Sequence, residues 1–81
     1  MKNLLKIIRF FQENGIVMTT TEVARGTNIS IKNISRYLDK LQKMGFIDRE
    51  TEQDGKKRFV LNYLTEKGKI ISIPETFVET L

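Results

Sequence analysis

Five side chains with hydrogen-bonding ends fall on one side of a predicted helix over residues 30–45. They are cationic or amide groups: Lys32, Asn33, Arg36, Lys40 and Lys43. At about 100° per residue, the opposite side of the same helix carries apolar residues at positions 31, 34, 38 and 41, with 44 nearby. Such a helix can bury one edge and present a cationic edge to a polyanion. The alternative is that this edge is the solvated face of an ordinary helix.

Two residues predict where this helix begins and ends. Ser30 is a good N-cap, because its hydroxyl can accept a hydrogen bond from a free amide of the first turn. Gly45 can adopt the left-handed conformation that ends many helices. The one acid, Asp39, lies on a flank, so residues 30–43 carry four bases and one acid, a net charge of +3.

Composition narrows the classes of function. The chain has 81 residues, no cysteine, no histidine and a formal net charge of +4. It therefore lacks thiol chemistry, the usual general base and the commonest metal ligand, and we expect no enzyme, no metal site and no cofactor. The positive charge suits a nucleic-acid partner. Since neither a signal-peptide pattern nor a membrane-spanning run is present, we expect a cytoplasmic, nucleoid-associated protein with no membrane partner.

Hydrophobic periodicity and turn signals divide the chain into short elements. In order, they are a helix at 2–14, a β-prone stub at 16–18, a second helix at about 21–26, the helix at 30–45, strands at 46–52 and 57–64, and a last helix that Thr65 caps. Three or four turn residues separate the second and third helices, which is helix-turn-helix spacing. We expect one domain over residues 1–81, with a core at about 4–72 and a tail or short helix at 73–81.

This order of elements, with residues at three places, resembles a known family. The residues are Leu38, Leu41, Gly45, Phe46 and Ile47 where the third helix ends, Asp54, Gly55 and Lys56 at the hairpin tip, and residues 64–68 where the last helix opens. They are similar to winged helix-turn-helix DNA-binding domains of MarR/ArsR-like regulators of bacteria and archaea. The resemblance implies an α+β, mainly α fold with a three-helix core, a two-stranded β wing and a C-terminal helix.

The same resemblance implies a transcriptional regulator that binds double-stranded DNA sequence-specifically. Residues 30–44 would lie in the major groove, and wing residues 53–58 would lie on the backbone or in the minor groove. The alternative is a winged helix that binds protein within a larger transcription or other assembly. Such domains tend to present apolar rather than cationic third helices, which argues against this alternative.

Three residues early in the third helix are candidates for contacting bases. Arg36 can donate two hydrogen bonds to guanine O6 and N7, and Asn33 can pair with adenine N6 and N7. Lys32 lies in the same turns of the helix. The alternatives are an ion pair between Arg36 and a neighbouring residue, and plain solvent exposure for Asn33.

A larger set of donors is predicted to contact phosphates. Ser30 can offer its amide and hydroxyl at a helix N-terminus. Tyr37 is expected to be partly buried, with its hydroxyl on a phosphate. The remaining candidates are Lys40, Lys43, Lys56, Lys57, Arg58, Thr20 and Arg25, followed by Thr19 and Thr21.

The wing is predicted to attract DNA less strongly than the helix. From residue 48 to residue 58, four bases meet four acids, so the net charge is zero. If the hairpin turn has two residues, Glu52 lies opposite Lys57 and can pair with it. Lys56 and Arg58 would then be the cations left free for phosphate.

A homodimer is expected, because a single module of this size makes limited contact with DNA. Candidate interface residues are Phe10 on the first helix and, near the C-terminus, Ile70, Ile71, Ile73, Phe77, Val78 and Leu81. For Phe10, the alternative is that the first helix sits deep between other elements. For the tail, the alternative is that it folds back over its own core.

Overall fold

The computed structural model describes residues 2–73, within which four helices and three strands are formed. The helices are α1 (Lys2–Asn14), α2 (Thr20–Thr27), α3 (Ile31–Lys43) and α4 (Glu66–Ile70), and the strands are β1 (Val17–Thr19), β2 (Ile47–Asp54) and β3 (Lys57–Leu64). Three helices pack together and an antiparallel hairpin forms a wing beside them. The predicted winged helix-turn-helix fold is confirmed.

The core lies where α1, α2 and α3 meet the root of the sheet. Fully buried side chains come from α1 (Ile7, Phe11), from α3 (Leu38, Leu41) and from the start of β2 (Ile47). Removing a side chain of this kind from water stabilises the fold by about 1.5–3 kcal/mol. The buried edge of α3 is therefore held firmly, which fixes the orientation of its other side.

The apolar edge of α3 is shorter than its sequence pattern predicted. Ile34, Leu38 and Leu41 are buried, but Ile31 is 53% exposed and Met44 is 36% exposed. These two residues lie in the first turn of the helix and at its C-cap, where α3 extends past the core. The prediction that position 31 belongs to the buried edge is wrong for this reason.

Local hydrogen bonds fix both ends of α2. The Thr19 hydroxyl accepts from the Glu22 amide at 3.1 Å, and the Thr19 amide donates to Glu22 Oε1 at 2.9 Å, forming a capping box. The backbone hydrogen bond from Thr19 is the main cause that lowers the pKa of the Glu22 carboxyl. At the other end, Asn28 adopts the left-handed conformation with φ 58°. Residues 28–30 form the tight turn into α3, as the helix-turn-helix spacing predicted.

The sheet has three antiparallel strands in the order β1-β3-β2. The sequence predicts β1 only as a β-prone stub, and in the structure this stub is a third strand beside the predicted two-stranded wing. Val17 pairs with Tyr63 and Thr19 pairs with Leu61. Since Thr19 is also the N-cap of α2, this third strand ties the root of the wing to the start of α2.

The wing hairpin turns one residue later than expected. Its loop residues are Gly55 and Lys56, so Lys57 lies opposite Asp54 rather than Glu52. Gly55 has φ 61°, and a two-residue loop with positive φ at its first position favours glycine there, as in type II′ turns. The predicted pair between Glu52 and Lys57 is therefore wrong.

The segment after the wing connects back to α3 and then to the core. Thr65 caps α4 by accepting from the Gly68 amide at 3.2 Å, and its hydroxyl donates to the Gly45 carbonyl at 2.7 Å. Ile73 is 7% exposed and belongs to the core, so the chain folds back over the core at this point. Residues 74–81, where most of the tail or short helix was predicted, lie outside the described residues.

Candidate nucleic-acid interface

The five predicted side chains of α3 form one exposed surface, which we call the cationic edge. It consists of Lys32, Asn33, Arg36, Lys40 and Lys43, all of which are exposed. Within residues 2–73, no ion pair involves any of its four cations. With a rise of about 1.5 Å per residue, the row extends about 16 Å along α3. The alternative that Arg36 is held by a neighbouring acid finds no support in the described part of the chain.

A cluster centred on Arg49, which was not predicted from the sequence, neutralises the one acid of α3. Arg49 Nη1 forms an ion pair with Asp39, Nε donates to Asn62 Oδ1 at 2.8 Å, and Nη2 donates to Thr20 Oγ1 at 3.3 Å. Asn62 is fully buried and donates to the Met18 carbonyl at 3.1 Å and to Thr20 Oγ1 at 3.2 Å. We call Thr20, Asp39, Arg49 and Asn62 the Arg49 cluster. It joins α2, α3 and the wing, and so fixes α3 relative to the wing.

The sequence carried a partial signal for the Arg49 cluster. Side chains alternate along a strand, so Arg49 lies on the same side of β2 as the core residue Ile47. Asn62 likewise shares a side of β3 with buried Leu64. Polar groups on a core-facing side need hydrogen-bond partners. The hydrogen-bond partners of Arg49 and Asn62 could not be predicted from the sequence, because Thr20 is 29 residues from Arg49 and 42 residues from Asn62.

Two of the predicted phosphate ligands flank the cationic edge. Tyr37 is half-buried, as expected, and its hydroxyl oxygen accepts from Asn3 Nδ2 at 2.9 Å. The hydroxyl proton of Tyr37 can therefore be donated to a further acceptor. Ser30 is exposed, and its Oγ accepts from the Asn33 amide at 3.3 Å, which confirms it as the N-cap of α3.

Thr20 and Arg25 do not share one environment, although both were predicted to contact phosphate. Thr20 is half-buried, and its hydroxyl accepts two hydrogen bonds inside the Arg49 cluster. Arg25 is exposed in the last turn of α2. The structure therefore brings Thr20 together with the residues that orient α3, and leaves Arg25 at the surface.

The three wing cations are exposed at the hairpin tip but do not face one way. Arg58 lies on the same side of β3 as buried Asn62, which is the side that packs on the helices at the root of the wing. Lys57 lies on the other side, opposite Asp54. Lys56 is in the loop itself. Arg58 therefore lies on the opposite side of the hairpin from Asp54.

Phe10, the predicted dimer residue on α1, packs within its own chain. A Cβ atom added to Gly26 would collide with the Phe10 ring, so the ring occupies the space that this glycine leaves open. Phe10 is half-buried against the core cluster. The structure favours the alternative in which α1 sits deep between other elements.

The other predicted dimer residues differ in exposure. Ile70 is 79% exposed, whereas Ile71 is half-buried against the core. Ile73 belongs to the core of its own chain, so its prediction as an interface residue is wrong. Phe77, Val78 and Leu81 lie outside the described residues.

Three further features of residues 2–73 concern metal binding, membrane spanning and small-molecule binding. No group of three or more acidic side chains there is arranged to hold a metal ion. No helix in this range is long and apolar enough to cross a membrane. A groove of about 170 Å³ between α1 and α2 is smaller than the ~300–1,000 Å³ typical of small-molecule sites.

Comparisons with known proteins agree with this geometry. A family described as winged helix-turn-helix DNA-binding matches residues 2–48. Among solved structures, the chain is similar to NadR in complex with 4-hydroxyphenylacetate, with a TM-score of 0.67 and 25% identity over 94% of this chain. The chain spans 48% of NadR, about half its length. No curated protein gives a significant match. With the matched residues covering more than half of the sequence, the chain belongs to the winged helix-turn-helix DNA-binding family.

Proposed function

We propose that this chain is a transcriptional regulator that binds double-stranded DNA sequence-specifically through residues 30–44 in the major groove. The observation that carries the proposal is the cationic edge of α3, which is exposed and free of ion pairs within residues 2–73. The opposite edge of the same helix is locked into the core. A major groove about 12 Å wide admits a helix held in this way.

The roles within the cationic edge follow from position along α3. The N-terminal residues of a recognition helix approach the bases, so Arg36, Asn33 and Lys32 are proposed to contact base edges. Lys40 and Lys43 lie farther along and are proposed to contact phosphates, which supply affinity without sequence preference.

Phosphate contacts are also proposed beside the cationic edge. Ser30 and Tyr37 flank it, and each has a hydroxyl proton to donate. Arg25 is exposed and is proposed as a weaker contact. Thr20 would act mainly by holding Arg49 in place, because its hydroxyl already accepts two internal hydrogen bonds.

The wing is proposed to meet the DNA backbone or minor groove with fewer residues than its basic run suggests. Lys56 and Arg58 are the favoured contacts, since Arg58 lies on the helix side of the hairpin. Lys57 lies opposite Asp54 and is proposed to contribute less. The net charge of zero over residues 48–58 supports the secondary role of the wing.

A MarR-like homodimer on a palindromic site completes the proposal, with the protein in the cytoplasm on the nucleoid. Two copies would place their α3 helices about 34 Å apart, one DNA turn. Of the described interface candidates, Ile70 is the most exposed and so the most available. Sizing of the wild-type chain and of Ile70→Ser tests this directly. A monomer at every concentration would contradict the homodimer.

The experiment that tests the function is selection of duplexes from a random pool with the purified chain. We expect a recurrent motif, and affinity that falls steeply as salt rises, because phosphate contacts release counterions. Lys69→Ala is a matched control, since Lys69 already pairs with Glu66 at 2.8 Å on α4. Absence of any enriched motif, together with a stoichiometric protein partner, would favour the protein-binding alternative.

A further inference from the structure

The sheet of the wing has an outer side on which three acids face apolar residues. In the observed register, Asp48 lies opposite Tyr63, Glu50 opposite Leu61 and Glu52 opposite Phe59. On β1, Val17 extends the row beyond Tyr63. We call these seven residues the outer sheet face. It consists of a row of carboxylates on β2 beside a row of apolar side chains on β3 and β1.

No cation of the described chain neutralises this row of acids. Arg49 sits between Asp48 and Glu50 in sequence, but its side chain lies on the other side of the sheet with Asp39 and Asn62. Within residues 2–73, none of the three acids of the outer sheet face takes part in an ion pair. The other three cations of the wing, Lys56, Lys57 and Arg58, lie at its tip; Lys57 is on the same side as the acids, opposite Asp54, and forms no ion pair with them.

The apolar row beside the acids is partly open to solvent. Val17 is 44% exposed and Phe59 is 37% exposed, while Leu61 and Tyr63 are half-buried. Desolvation, and then the charges of Glu50 and Glu52, raise the pKa of the Tyr63 hydroxyl. The outer sheet face therefore combines exposed apolar side chains and negative charges within one small surface.

We propose that the outer sheet face binds a basic amphipathic helix of another protein. The two rows lie on neighbouring strands about 4.8 Å apart, and the carboxylates repeat about every 6.7 Å along β2. A helix repeats every fourth residue in about 6 Å, so lysine or arginine at i, i+4 and i+8 can follow the acids. Apolar residues on the adjoining stripe of that helix would cover the row from Val17 to Phe59.

The negative charge of the outer sheet face argues against three other occupants: nucleic acid, a second copy of the chain and the chain's own segment 74–81. DNA and RNA would be repelled by the three acids of this face. A second copy placed symmetrically would set acids against acids, and a contact with α3 of a second copy would cover the cationic edge that is proposed to bind DNA. The chain's own segment 74–81 carries two glutamates, at positions 75 and 79, and no base. A basic segment of a different protein is the occupant that remains.

This proposal goes beyond DNA binding and does not depend on it. The outer sheet face and Arg49 lie on opposite sides of the sheet, and Arg49 holds α3 through Asp39. A chain with α3 on DNA would thus keep the outer sheet face available. Binding here would bring a second protein to the DNA site.

A fluorescent peptide tests the proposal without DNA. The probe is a helical peptide of about 16 residues with lysine at i, i+4 and i+8 and leucine on the adjoining stripe. A scrambled peptide of the same composition is the control. Anisotropy is followed at about 0.15 M salt, where long-range attraction is screened. We expect binding by the amphipathic peptide, and weaker binding by its scrambled form.

Two double variants locate the binding surface. Glu50→Gln/Glu52→Gln should weaken peptide binding about tenfold, or about 1.4 kcal/mol. Glu13→Gln/Glu66→Gln makes the same change of charge elsewhere and should leave it unchanged. Phe59→Ser should weaken binding about threefold, because the Phe59 ring belongs to the apolar row that the peptide covers; an unchanged affinity would remove the apolar row from the proposed surface.

Three results would overturn the proposal: no binding at about 1 mM peptide, equal binding of the scrambled peptide, or equal loss in the two double variants. None of these three measurements contains DNA, so their failure leaves the proposed regulator untouched. Conversely, the glutamine variant at positions 50 and 52 should still enrich the wild-type DNA motif. Loss of that motif would place these acids in the DNA site instead.

Discussion

Two arginines of this chain have opposite surroundings. Arg36 is exposed on the cationic edge and has no ion pair within residues 2–73. The Arg49 side chain is 13% exposed and bonds to three side chains: Thr20, Asp39 and Asn62. One guanidinium keeps its donors for a ligand, whereas the other uses them to hold α3, α2 and the wing together. Residue type alone does not separate these two roles; the number of internal partners does.

The largest effect should come from removing the guanidinium of Arg49. Arg49→Met leaves Asn62 Oδ1 and Asp39 without their partner, so we expect a loss of roughly 1–3 kcal/mol in unfolding free energy. For a chain of this size, each kcal/mol lowers Tm by about 4–8 °C. The Asp39 carboxylate is 62% exposed, so Asp39→Asn should cost only about 0–1 kcal/mol. Equal losses would show that the ion pair, rather than the buried bonds to Asn62 and Thr20, carries the stability.

Arg36→Ala, in contrast to Arg49→Met, should leave stability almost unchanged and reduce DNA sequence preference. An exposed residue without partners contributes little to folding, so stability should stay within about 0.5 kcal/mol of wild type. Loss of a bidentate contact to guanine should remove about 1–3 kcal/mol of preference at one base position. Thermal unfolding and competition among single-base variants of the selected site measure the two quantities. An unchanged preference would remove Arg36 from the proposed base contacts.

A smaller and less specific effect is expected from Lys40→Ala. Lys40 lies farther along α3, so its loss should weaken binding to all sequences by similar factors. The slope of log K against log salt should fall in magnitude by about 0.9, the value for one phosphate contact. Anisotropy at several salt concentrations checks this. A change in sequence preference without a change in slope would assign Lys40 to a base.

The smallest effect concerns the capping box of α2 and depends on pH. The folded chain lowers the pKa of Glu22 below its usual 4.5, chiefly through the backbone hydrogen bond of Thr19. Its stabilisation is therefore present above pH 4.5 and is lost as pH falls through the folded pKa. When pH is lowered from 7 to 3, the unfolding free energy of the Glu22→Gln variant should therefore fall by less than that of the wild type. An acid at a helix N-terminus contributes about 0.3–1 kcal/mol; identical pH profiles would contradict the assignment.

The elements that sequence reasoning predicted well depend on near neighbours in the chain. Ser30 and Thr65 were predicted as helix caps from their residue types, and each accepts from an amide three residues later. The cationic edge followed from helical periodicity alone. These features need few distant contacts, so a local pattern contains most of the information that fixes them.

The features that sequence reasoning missed depend on distant contacts or on a shift of one residue. Asn62 meets the Met18 carbonyl across 44 residues of sequence, and no local pattern predicts that hydrogen bond. The wing register depended on whether the loop starts at Asp54 or at Gly55. With the observed start at Gly55, Glu52 lies opposite Phe59 instead of Lys57, which adds a third pair of an acid and an apolar residue to the outer sheet face.

An NMR titration with a selected duplex shows which residues bind DNA, and so whether the cationic edge of α3 does. We predict that the resonances most strongly shifted will be those of Asn33, Arg36 and their neighbours in the first turns of α3, with smaller shifts at Lys56 and Arg58. The outer sheet face should be unaffected, because its acids repel phosphate. Large shifts at Glu50 and Leu61 with α3 unchanged would show that DNA binds the outer sheet face and not the cationic edge.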